Sequence, residues 1–225
     1  MRKRLTIVEQ AQKVLSSRPT KKGRPKKWEN FTQQEKAVAL AYDIIQSIIA
    51  GVYAAKTQYY IDTDKVREAA AIKARAPEFS DATYKQDVKE LLDQGLLQNC
   101  DVCALGACYL SVVRFENHTT VSDLRWASFG AMHKWNTGVG DGRKRLIDAL
   151  GYKMVDMLES AFERQPFYSI HTKERTAEYK ASIKKAIAFG KEYKKEAKKT
   201  TEEVDTNRLL AIWMNVIKNN GVFKP

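Results

Sequence analysis

Thr32-Gln-Gln-Glu-Lys-Ala-Val-Ala-Leu-Ala-Tyr-Asp-Ile-Ile-Gln-Ser-Ile-Ile-Ala-Gly51 decides how the rest of the chain is read. Its first four residues form a capping box. The threonine hydroxyl takes the amide three residues on, and the Glu35 carboxylate reaches back to the threonine amide. Behind the box, Leu40, Ala41, Ile44, Ile45, Ile48 and Ile49 fall on one wide face of a 3.6-residue helix. Gly51 closes it, because a glycine takes the left-handed conformation at a helix end without a Cβ penalty.

The same period recurs on both sides. Leu5, Ile7, Val8, Ala11, Val14 and Leu15 predict a short amphipathic helix over 5–17. Further helices are expected from Asp64 to Ala76 (stopping before Pro77), from Ser80 to Gly95, from Val102 to Phe115 and from Asp141 to Pro166. Two more are expected from Lys173 to Lys199 and from Asp205 to Asn219. Residues 52–61, with Val52, Tyr53, Tyr59, Tyr60 and Ile61, read as a short strand or hairpin. The periodicity of 119–140 points to neither state. No internal repeat is visible. The expected fold is mainly α: a single helical domain over 31–225 with at most one short β-hairpin, preceded by a basic N-terminal arm over 1–30.

Composition narrows the function classes. The 225 residues are 44% hydrophobic and 29% charged, ordinary for a folded protein, but the net charge is +12. Residues 1–30 hold ten lysines and arginines against Glu9 and Glu29, so +8 of that charge lies there. Such placement fits an arm on a nearly neutral body. No apolar run approaches the ~20 residues needed to span a bilayer, and no apolar region follows the charged start, so neither a membrane partner nor a secretory signal is expected. Three cysteines within positions 100–108 do not make a disulfide framework. The expected location is a reducing cytoplasm.

Within the arm, Lys21-Lys22-Gly23-Arg24-Pro25-Lys26-Lys27 carries five cations and no acid, and cannot build a core. Pro25 pushes Arg24 towards an extended conformation, and Gly23 lets the backbone come close to what it touches. An extended arm with a central arginine suits the narrow, negative minor groove of A·T-rich DNA, with lysines near phosphates. The segment resembles the AT-hook, whose core is a basic residue followed by Gly-Arg-Pro. That motif usually has arginine on both sides of the glycine; here the first is Lys22. The alternative is a solubilising tether.

A second basic feature lies between Lys180 and Lys199, where eight lysines face Glu192 and Glu196. All eight fall off the apolar stripe of the expected helix, and Lys184, Lys191 and Lys195 stand as candidate phosphate contacts. They have no aromatic partners for base readout.

No catalytic constellation is legible. Cys100-Asp-Val-Cys103-Ala-Leu-Gly-Ala-Cys108 admits three readings: buried small hydrophobes on a tightly packed helix, a Cys-x-x-Cys redox pair, or a zinc site completed by His118 or His133. No cofactor is expected on the first, and zinc is the alternative. On that helix Gly106 and Ala107 would let a neighbour approach. His118, His133 and His171 lie far apart. Asp62, Asp64, Asp141 and Asp148 suit helix starts and surface positions. Gly138-Val-Gly-Asp-Gly142 lacks the Gly-Lys-Ser/Thr ending of a phosphate loop.

Cys-x-Val-Cys-Ala-x-Gly-Ala over Cys100–Ala107 and the tail Asn215-Val-Ile-Lys-Asn-Asn-Gly-Val-Phe-Lys-Pro225 together resemble a group of small phage and prophage proteins without assigned activity. The resemblance spans 35–225 and implies a phage-encoded accessory role in a host bacterial cell. It supplies no catalytic residues. The expected function is non-catalytic nucleic-acid binding through the arm. The rival is a host-takeover, anti-defence or virion component that presents Trp126, Trp135 or Phe223 to a host or phage protein.

Overall fold

The computed structural model describes residues 5–18, 26–58, 60–116, 119–124, 140–168, 175–193 and 200–225. Among these it is mainly α, with eleven helices and one short two-stranded sheet. The helices are α1 (Ile7–Ser16), α2 (Gln33–Ile49), α3 (Thr63–Ala74), α4 (Asp81–Tyr84), α5 (Val88–Asp93) and α6 (Ala104–Phe115). They continue as α7 (Val121–Leu124), α8 (Gly140–Leu150), α9 (Tyr152–Glu163), α10 (Ala177–Glu192) and α11 (Thr201–Lys218). The strands are β1 (Tyr53–Ala55) and β2 (Cys100–Val102).

α6 is the centre. It is apolar all round, and every residue from Ala104 to Val113 is buried, the condition of a helix wrapped on all sides. α2, α5, α8 and α9 pack around it. α11 lies across α1, α2 and α9, burying Leu209, Leu210, Ile212 and Trp213. α1 therefore belongs to the packed body, with Ala11 fully buried against α2 and α11.

The capping box of α2 forms as its sequence dictates: Thr32 Oγ1 accepts the Glu35 amide at 3.2 Å, and Glu35 Oε2 accepts the Thr32 amide at 2.9 Å. Matching boxes open α1 (Thr6, Glu9) and α11 (Thr200, Glu203).

Several elements differ from the sequence expectation. β1 does not turn back into a hairpin; it pairs in parallel with β2, Tyr53 opposite Cys100 and Ala55 opposite Val102. Ile61 then bridges to Val102 from the antiparallel side. The helix expected over 80–95 is two, because the chain leaves the helix after Tyr84 and Asp87 bridges to Thr120, with Gln86 and Val88 bonded to Val121 and Thr119. Asp87 caps the second one. The helix expected over 141–166 breaks at Gly151, whose φ of +77° is left-handed. Helix α10 ends at Glu192, short of the expected Lys199.

The lysine-bearing α10 is seated on α9 at Gly190. A Cβ there would lie 1.8 Å from the Ala161 carbonyl oxygen, so only glycine permits this crossing. No helix among the described residues is long and apolar enough to cross a membrane.

Candidate nucleic-acid interface

Of the AT-hook-like segment, Lys21, Lys22, Gly23, Arg24 and Pro25 lie outside the described residues; Lys26 and Lys27 lie within them. The residues on either side of it rest on α2. The Arg18 guanidinium sits 5.0 Å from the centre of the Tyr42 ring. Lys26 Nζ lies 2.7 Å from Glu35 Oε2 and 5.6 Å from the Phe31 ring centre. The Lys26 ammonium, with the Thr32 amide behind it, pulls the Glu35 carboxyl down to about 2. Lys27 is exposed and stands 4.0 Å from Glu29. Trp28 then stacks on Phe115 at 4.8 Å and donates its indole N–H to Glu116 at 2.8 Å. The basic segment is thus bracketed by α1 before it and by Trp28 after it, both packed on the body. Between Arg18, Phe31, Val38 and Tyr42 lies a groove of about 500 Å³.

On α10 the stripe Tyr179, Ile183, Ala186 and Gly190 is buried against α9. The Tyr179 hydroxyl donates to Asp156 at 2.6 Å, both groups being buried. Lys180, Lys184, Lys185 and Lys191 occupy the opposite, exposed face. Lys195 lies outside the described residues. Beside this face a second groove of about 670 Å³ runs between the first turn of α9, α10 and the C-terminal tail. Lys153, Lys185 and Lys224 line it, with no acidic side chain.

The two grooves adjoin. Gln34 lines both, Asn220 lines the first and Gly221 the second. Gly221 packs directly on the Gln34 backbone: an added Cβ would stand 2.3 Å from the Gln34 carbonyl oxygen. Arg18, just before the basic segment, and Lys185, on the lysine face of α10, therefore line adjoining grooves that meet at the start of α2 and the turn after α11. Sequence reasoning named neither Gln34 nor Lys153 nor Lys224 for this surface. The Asn219-Asn220-Gly221 stop was visible, but it does not reveal which helix it packs on.

The cysteines require a correction. They do not project together from one helix. Cys100 is in β2, Cys103 is the N-cap of α6, and Cys108 is inside α6. All three are buried free thiols. Burial pushes Cys100 up to about 12 and raises Cys103 and Cys108 well above the ordinary thiol value. Each is therefore a neutral thiol near neutral pH in the folded chain. His118 and His133 lie outside the described residues, and no cluster suited to a metal occurs among the described ones.

The acidic side chains near Cys103 are structural clasps. Glu159, from α9, accepts the Leu105 amide at 3.4 Å and the Cys103 thiol proton. One turn on, Glu163 accepts the Gln58 amide at 2.9 Å. Asp205 accepts the Thr57 amide and hydroxyl at 3.1 and 3.2 Å and pairs with Arg208 at 2.8 Å. Together they hold the β1–α3 connection over the start of α6. There an added Cβ at Gly106 would lie 1.5 Å from the Tyr60 carbonyl oxygen. Asp62 caps α3, and Asp64 pairs with Arg67 at 2.9 Å.

Phe223 is also corrected. It is 3% exposed and meets Phe189 edge-on at 5.3 Å, so it holds the tail down instead of standing out from the surface, and it lines the groove beside α10. Trp126 and Trp135 lie outside the described residues. No protein-family model, curated protein or solved structure matches the chain.

Proposed function

We propose that this is a non-catalytic, phage-type accessory protein that binds nucleic acid, A·T-rich duplex DNA in the first instance, through its basic arm. Arg24 and Lys22 enter the minor groove, Lys21 and Lys27 follow the phosphates, and Lys26 joins them by leaving Glu35. That exchange is cheap, because a solvent-exposed ion pair is worth only ~0–1 kcal/mol. Lys184, Lys191 and Lys195 take a second stretch of backbone. The observation that supports the reading is the pair of adjoining grooves: Arg18, beside the arm, lines one, and Lys185, on the lysine face of α10, lines the other. The phage-type assignment rests on the wording of Cys100–Ala107 and Asn215–Pro225.

The test is a fluorescence anisotropy titration of an A·T-rich duplex. Arg24→Ala with Lys22→Ala is expected to weaken binding by ~1–3 kcal/mol, with a smaller loss on a G·C-rich duplex. Equal affinity of the double variant and the parent chain would remove the arm from the mechanism.

A further inference from the structure

The groove between α9, α10 and the tail has a chemistry that the arm lacks. Its floor is apolar, from Leu150, Met154, Met157 and Val222. Its rim carries Lys153, Lys185 and Lys224, and Tyr152 stands at the lip, 47% exposed. Lys153 has an exposed partner, Glu178, at 3.3 Å; Lys185 and Lys224 project to solvent. At its inner end α9 begins at Gly151 with no side chain capping it, so the helix adds positive potential to that of the lysines.

An apolar floor under a cationic rim suits a ligand with one flat apolar part and adjacent negative charge. A duplex presents only its phosphates here, because its bases are stacked inside. An unpaired nucleotide presents both parts at once, and a volume of about 670 Å³ is ample for it. We propose that this groove takes an unpaired nucleotide of a single-stranded nucleic acid. The base lies against Tyr152 and the methionines, and the flanking phosphates lie at Lys153, Lys185 and Lys224. The proposal rests on the nucleic-acid reading above and gives it a second, base-dependent site.

The experiment uses the full chain and three labelled probes: a short oligothymidylate, an abasic oligomer of the same length and charge, and the A·T-rich duplex. The parent chain is expected to bind oligothymidylate about tenfold more tightly than the abasic oligomer, the usual worth of stacking one base. Tyr152→Ala should abolish that preference and leave duplex affinity within about twofold, since the ring carries no charge for a phosphate. Lys185→Ala with Lys224→Ala should weaken both single strands alike. All three side chains are exposed, and unchanged thermal unfolding will establish that the variants fold. Equal binding of oligothymidylate and abasic oligomer by the parent chain overturns the groove site. So does a preference that survives Tyr152→Ala. If the duplex still binds through Arg24 and Lys22, only the groove site falls; if the parent chain binds none of the probes, the nucleic-acid reading falls with it.

Discussion

At the scale of single residues, Glu159 is the most perturbed acid in the described body. Burial is the main cause, Glu163 one turn away adds to it, and the Cys103 thiol and Leu105 amide only partly offset it; the carboxyl is raised from 4.5 to about 8. Tyr60, in the β1–α3 connection, and Cys103, the N-cap of α6, face it, and Arg208 stands beyond Glu163 on α11. Glu163 is shifted in the same direction, again chiefly by burial. The folded chain therefore keeps a proton on Glu159 through a pH window in which the unfolded chain has lost it. The resulting stabilisation is complete below 4.5 and is lost as pH rises through about 8. Glu159→Gln keeps an acceptor for the Leu105 amide and removes the charge. The melting temperature of the variant relative to the parent chain is expected to rise steadily between about pH 5 and pH 8. A constant difference across that range in differential scanning fluorimetry would mean that Glu159 does not titrate there.

At the scale of elements, the caps are the most local source of order. Thr200 begins α11, the helix that carries Trp213 and Arg208 into the core, by accepting the Glu203 amide at 3.2 Å. Thr200→Ala is expected to lower stability by ~1 kcal/mol, read as a lower urea midpoint with an unchanged slope. A changed slope would instead mean that the end of α11 unravels separately. This cap also marks where the sequence was legible and where it was not. Thr32-Gln-Gln-Glu35 stood out because it follows a polar stretch and precedes a clean apolar face. The Thr200 box follows directly on the lysine run, which masks it, so the apolar period places the start of α11 at Asp205, four residues late. Breaks were harder still. Asp87, the N-cap of α5, is the one local sign of the break between α4 and α5; the pairing with Thr119–Val121 that accompanies it lies far along the chain. Gly106 was readable as a close-approach position, but its neighbour, the Tyr60 carbonyl, follows only from the fold. The parallel β1–β2 pair was hidden for the same reason: its two strands are joined through α3, α4 and α5.

At the scale of the whole molecule, the +12 charge is held in two places, and the docking of α1 on α2 and α11 decides how their contributions can be separated. Truncation at Trp28 would remove the arm, but it would also strip Ala11 and the rest of α1 from the core. A loss of affinity in such a chain would mix lost charge with lost structure. Neutralising substitutions keep the scaffold: Lys21, Lys22 and Arg24 to serine on one side, Lys184 and Lys191 to serine on the other. If both sites meet phosphates of one duplex, each contact removed should reduce the steepness of log K against log [salt] by about 0.9. The two sets should also add, if each phosphate contact releases its own counterions. Titrations at several salt concentrations read this directly. A slope that changes for the arm set alone would leave the α10 lysines as a solvated face. A slope that changes for neither would show that the uneven charge keeps the chain soluble and is not what binds.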